Sequence, residues 1–168
     1  FPERFQSLIL CDTQCIADTT EVKAKRYEII DEIKTHGVTN FNERFIKSVF
    51  HKDSLKDKKD LVEHLSNVVF SNSENSIIKG LVALAERDET CSILDEIRIP
   101  TFIICGREDE VTPLIQSEFM YAKIKGSFLH VIDNAGHVSN LEQPNEFNIH
   151  LAGFLASLSG IDKSCLED

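Results

Sequence analysis

Three short apolar runs interrupt a chain whose other apolar residues recur at helical spacing. The runs are Phe5 to Cys11, Thr101 to Cys105 and Phe128 to Ile132. Polar or glycine turn residues close them: Asp12-Thr13, Gly106 and Asp133-Asn134. Unbroken apolar runs this short fit strands buried on both faces, as in a parallel sheet. Between the second and third runs, Leu114, Ile115, Phe119, Ala122 and Ile124 predict a helix over Pro113 to Lys125. It would start at Thr112, with Pro113 in the first helical position. After the third run, Phe147, Leu151, Phe154, Leu155 and Leu158 form one apolar face over Pro144 to Leu158. Strand, helix, strand, helix in that order predicts parallel strands joined by right-handed crossovers.

The stretch from Asp12 to Ile99 has a different rhythm. Val22, Ile29, Ile30 and Ile33 share a face over Glu21 to His36, and Gly37 stops that helix. Phe45, Ile46, Val49 and Phe50 do the same over Asn42 to Phe50. Leu61 to Phe70 and Ser76 to Arg87 predict two further amphipathic helices. Lys52 to Asp60 reads as a charged link, with Lys56, Lys58 and Lys59 on a solvated face and His51 and His64 solvated as well. The expected layout is therefore a core of residues 1–14 and 98–168, interrupted by a helical cap at 15–97. A helical insertion at the carboxyl end of a sheet is placed to act as a lid.

Composition narrows the class of partner. Of 168 residues, 42% are hydrophobic and 27% charged, as in ordinary globular domains. The net charge of −10 argues against nucleic acid or an anionic membrane surface as partner, since both need basic patches. No apolar run approaches the roughly 20 residues of a spanning helix. Phe1-Pro2-Glu3-Arg4 does not read as a secretory leader. Five cysteines, an odd number, with Cys11 and Cys105 inside strand-like runs, predict reduced thiols and a cytoplasmic location. Cys11 and Cys15 lack the neighbours of a metal site, and the histidines are scattered, so neither metal nor cofactor is expected.

Two loops carry candidate chemistry. Asp109 lies in Gly106-Arg107-Glu108-Asp109-Glu110-Val111-Thr112-Pro113, directly after the second apolar run. His137 lies in Asn134-Ala135-Gly136-His137, directly after the third. An acid at one strand end and a histidine at the next is how an acid–histidine pair is built on a parallel sheet. Taken alone, Asp109 could be a helix N-terminal carboxylate, and Glu108 or Glu110 would serve as well. His137 alone could be a loop histidine bonded to backbone. Arg87 and Asp88 read as an ion pair at a helix end, and Phe41, Phe45, Phe50 and Phe70 as core of the cap.

With these loops in view, the whole chain resembles the C-terminal half of an α/β-hydrolase. Phe1 to Thr13 resembles the family's entry into strand 6, and Leu84 to Thr101 its cap exit and strand 7. Gly106-Arg107-Glu108-Asp109 with Thr112-Pro113 is similar to its acid loop. Asn134-Ala135-Gly136-His137 with Leu141-Glu142-Gln143-Pro144 is similar to its histidine loop and last helix. Leu10-Cys11-Asp12-Thr13 and Arg87 are similar to the 3-oxoadipate enol-lactonase-like branch. The resemblance implies an α/β fold with a short parallel sheet of strands 6 to 8. It makes Asp109 the triad acid and His137 the general base.

The resemblance also implies what is missing. The family's G-x-S-x-G nucleophile elbow would precede Phe1. Ser127 and Ser139 lack its strand–turn–helix setting. The expected function is that of part of a serine-type hydrolase of a small ester or lactone, inactive as an isolated chain. Another chemistry of the family is the alternative: carbon–carbon bond, haloalkane or peptide cleavage. So is a non-catalytic assembly module. With strand 5 absent, the edge of strand 6 is expected to pair with a second copy or with a complementing N-terminal fragment.

Overall fold

A computed structural model describes residues 1–161 of the chain, so the expectation for Cys165 lies outside the described residues. Three strands, β1 (Leu8–Cys11), β2 (Thr101–Gly106) and β3 (Phe128–Ile132), form one parallel sheet in the order β1-β2-β3. Leu8 faces Thr101 and Cys11 faces Ile104; Phe102 faces Phe128 and Gly106 faces Ile132. The first strand starts at Leu8 rather than Phe5, because pairing begins where Leu8 N–H donates to the Pro100 carbonyl, 2.9 Å away. Upstream of Pro100 the partner segment is a 3-10 turn, Cys91–Glu96, and offers no ladder. Phe5 is left 63% exposed.

All six residues of β2 are buried, which explains its unbroken apolar sequence. Its side chains alternate between two cores, as strand geometry requires. Phe102 and Ile104 pack with Ile132, Ala135 and the helix residues Phe147 and Phe154. Ile103 packs on the other face with Cys15, Leu94, Met120 and Ile124. The helices that cover these faces are α6 (Leu114–Lys123) and α8 (Pro144–Ile161), with a short α7 (Ser139–Glu142) between β3 and α8. Pro113 is not the first helical residue. It sits at the cap position with an extended ψ of 148°, because Thr112 before it is bonded to Asp109.

Between β1 and β2 runs a helical block: α1 (Thr20–His36), α2 (Thr39–Val49), α3 (Ser54–Asp57), α4 (Lys59–Phe70) and α5 (Glu74–Glu86). Thr19 caps α1 by accepting from Val22 N–H, and Gly37 ends it at φ +80°, a conformation glycine adopts without steric cost. Ile30 and Ile33 of α1 pack against Leu81 of α5. Ile46, Val49 and Phe50 gather residues of α3 and α4, together with Val138 from the loop after β3. Val22, Phe45 and Phe70 are exposed, so the expected apolar faces are narrower than their spacing suggests. The charged link contains α3, and two residues expected to be solvated, His51 just before the link and Lys58 within it, are engaged instead. His51 is buried, and Lys58 Nζ donates to the Glu142 carbonyl. Both bond to Glu142, a long-range contact that their charged sequence neighbours conceal.

The expectation of reduced thiols is corrected. Cys15 and Cys91 form a disulfide across a separation of 76 residues, while Cys11 and Cys105 are free. The bond ties the exit of β1 to the approach of β2, where Thr90 N–H also donates to the Cys15 carbonyl. Arg87 pairs with Asp18, not with its neighbour Asp88, and Asp18 also binds Arg26. The two ends of the helical block are thus fastened together three times: covalently, through backbone and through charge. No helix among the described residues is long and apolar enough to cross a membrane.

Candidate active site

The loop after β2 folds around Asp109. Arg107 N–H donates to the Ile132 carbonyl and Glu108 N–H to the Ala135 carbonyl, which holds the loop beside the one that follows β3. Asp109 is buried, and four donors reach its carboxylate. Oδ1 accepts from the N–H groups of Val111 (2.8 Å) and Thr112 (2.9 Å). Oδ2 accepts from the Thr112 hydroxyl (2.8 Å) and pairs with His137 Nδ1 (2.9 Å). Glu108 points elsewhere and accepts from Ala135 N–H, and Glu110 is exposed. Geometry therefore singles out Asp109 among the three acids of the loop.

An ionised carboxylate only accepts, so His137 Nδ1 carries a proton and Nε2 presents a lone pair. Nε2 has no hydrogen-bond partner among the described residues. Burial opposes charge on both groups, but their mutual bond prevails. For Asp109, burial pushes the carboxyl up, and the bonds from His137 and Thr112 outweigh it and hold the group below its ordinary value. For His137, burial pushes the imidazole down, and Asp109 lifts it above its ordinary value, with a smaller push from Asp12. An imidazole with its Nδ1 proton fixed and its Nε2 open is built to take up a proton and hold it. Neither serine considered as a nucleophile touches it. Ser127 Oγ donates to the Ile124 carbonyl and Ser139 Oγ to Asp12.

The model of the family described as "alpha/beta hydrolase fold" matches residues 1–144. The chain belongs to the α/β-hydrolase family. Among the relatives of this α/β-hydrolase is 3-oxoadipate enol-lactonase 2 of Acinetobacter baylyi, 31% identical over 148 residues. That alignment covers 88% of this chain and 54% of the relative. Of solved structures, a thermophilic esterase from Thermogutta terrifontis superposes with a TM-score of 0.88 at 24% identity, covering 94% of this chain and 58% of that one. The enol-lactonase from Burkholderia xenovorans superposes with a TM-score of 0.82 at 19% identity, covering 92% and 57%. The chain thus spans little more than half the length of these relatives.

Three supports of this α/β-hydrolase's histidine loop escape the sequence reading. Asp12 follows β1 with a left-handed φ of 41° and bridges two loops. It accepts from Gly106 N–H (2.9 Å), Ser139 N–H (3.3 Å) and Ser139 Oγ (2.7 Å). Burial, aided by the nearby charge of Asp109, raises its pKa despite those bonds. Glu142 is buried and accepts from the backbone N–H groups of Gly136 and His51. Val49, the last residue of α2, accepts from His137 N–H at 2.8 Å. The helical block therefore does more than lie between strands, since its second helix holds the backbone of the histidine. Only a left-handed Asp after a strand and a Glu five residues past the histidine could have signalled this, and both are common in other settings.

Proposed function

We propose that this chain supplies the acid and the general base of a serine-type hydrolase acting on a small ester or lactone. The observation that carries the reading is the pairing of buried Asp109 with half-buried His137, whose Nε2 is left open. A nucleophile hydroxyl from a segment outside this chain would meet Nε2. His137 would take its proton as the hydroxyl attacks the substrate carbonyl, then return it to the leaving alkoxide. Asp109 would hold the ring and stabilise the imidazolium, with Thr112 orienting the carboxylate. The helical block would form the cap over the substrate. Ester or lactone chemistry, rather than another of the family's, is supported by the named relative. On this reading the isolated chain hydrolyses nothing.

The test pairs native mass spectrometry with an assay on aryl acetate and enol-lactone substrates. A companion polypeptide bearing a nucleophile, with hydrolysis that His137→Gln abolishes, is the expected result. Hydrolysis by the chain alone, or a rate indifferent to His137→Gln, overturns the proposal. A second reading, as an assembly module without catalysis, is favoured by one feature. β1 bonds to β2 on one side only, which leaves its other edge open among the described residues.

A further inference from the structure

His130, Glu146 and His150 lie apart in sequence and take no part in the Asp109–His137 site. His130 is at the middle of β3, and Glu146 and His150 are one turn apart on α8, so the two helical side chains share a face. The fold brings all three together. His130 Nε2 lies 3.0 Å from Glu146 Oε1, and the two imidazoles are stacked with centroids 3.4 Å apart. One ligating atom from each residue lies within 4.8 Å of the other two. A tetrahedral ion with bonds of about 2.0–2.1 Å holds its ligands roughly 3.3–3.4 Å apart. The His130–Glu146 spacing is close to that value and the His150 atom lies within 4.8 Å of both, so reorienting the side chains, with the imidazoles unstacked, would close the set.

We propose that His130, Glu146 and His150 bind a divalent transition-metal ion of the zinc type. Two imidazoles and one carboxylate are a borderline donor set, suited to zinc, cobalt or nickel and poorly suited to calcium or magnesium, which take oxygen. Three protein ligands leave a fourth position for water. A cavity of about 530 Å³, lined by Phe102, Phe128, His130, His150 and Phe154, opens beside the cluster and gives an ion its entry path. A ligand from β3 and two from α8 would make the ion a clip between the last strand and the last helix.

The experiment is calorimetric titration of the metal-free chain with Zn²⁺ at neutral pH. It is joined by Co²⁺ absorption spectroscopy and by thermal unfolding with and without metal. One Zn²⁺ per chain at micromolar affinity or tighter, tetrahedral-type cobalt bands and a higher Tm with metal are expected. The His130→Ala/His150→Ala double variant should lose the bands and weaken Zn²⁺ binding by roughly a hundredfold or more. Glu146→Gln, at a half-exposed position where an amide can still hydrogen-bond His130, should weaken it by roughly tenfold in a metal-free chain that still unfolds cooperatively. The single variant keeps the test sound if the double variant folds poorly. No binding by the wild-type chain, or binding unchanged by Glu146→Gln and either histidine substitution, overturns the site.

Discussion

At the scale of single residues, the acid loop and the histidine loop touch through glycine backbone. A Cβ on Gly106 would lie 2.2 Å from the Gly136 carbonyl oxygen, and one on Gly136 would lie 2.7 Å from the Val49 carbonyl oxygen. The blocking atoms are main chain and cannot swing aside. Gly136→Ala should therefore destabilise the fold by about 1–3 kcal/mol, as overpacking does, and urea unfolding reads this as a lower midpoint at an unchanged slope. Charge at the same site sets a pH dependence of definite sign. His137 has its folded pKa above its unfolded value, so its contribution is complete below about pH 6.5 and is lost as pH rises through the folded value. Asp109 is shifted down, so its contribution is present above about pH 3.9 and is lost as pH falls through the folded value. The stability gap between the wild-type chain and His137→Gln should accordingly shrink as pH rises above about 6.5. A gap that widens with pH would contradict the Asp109–His137 pairing. In the complete hydrolase proposed above, the same upward shift moves the acid limb of kcat/KM above the pH of an ordinary histidine.

At the scale of elements, what was legible depended on where each element's partners lie. β2 was readable because its burial is written in its own residues, and so was the pairing of an acid loop with a histidine loop; β1 and β3 form strands as expected but are only half-buried, with Phe128 exposed, so burial on both faces holds for β2 alone. The start of β1 was not readable, since Phe5 is as apolar as Leu8 and only the absence of a ladder opposite it ends the strand. His51 was misread because its sequence neighbours are charged while its spatial neighbour is Glu142, 91 residues away. The disulfide was hidden for the same reason: cysteines 76 residues apart carry no local signature. With it goes the support that reduced thiols lent to a cytoplasmic location, because disulfides persist in oxidising compartments. Its energetic effect can be stated. Closing a loop of that length in the unfolded chain should stabilise the fold by roughly 2–4 kcal/mol. The Cys15→Ser/Cys91→Ser variant, or the wild-type chain under reductant, should unfold at correspondingly lower urea. Equal midpoints with and without reductant would remove the bond from the account.

At the scale of the whole molecule, the sheet ends in two edge strands. Among the described residues β1 and β3 each pair only with β2, and α8 covers a face of the sheet rather than an edge. In a parallel ladder successive residues direct their backbone groups to alternate sides. Leu8 and Asp12 donate towards β2, to the carbonyls of Pro100 and Ile104. The N–H groups of Ile9 and Cys11 therefore face the open edge, and Phe5, just before the strand, is exposed. Unpaired strand groups beside apolar surface drive association. Sedimentation of the 19.0 kDa chain should thus show a dimer or larger species, or a companion polypeptide. Cys11→Pro removes a donor from the open edge and spares those that β2 uses, so it should shift the population towards monomer. Cys11→Ser keeps the donor and should leave association intact, which separates edge pairing from thiol chemistry. A wild-type chain that sediments as a lone monomer across the whole concentration range would show that this edge recruits nothing. Pairing with a second copy would favour the assembly reading. Displacement of that copy by a polypeptide carrying a nucleophile would favour the hydrolase, because one edge cannot hold both.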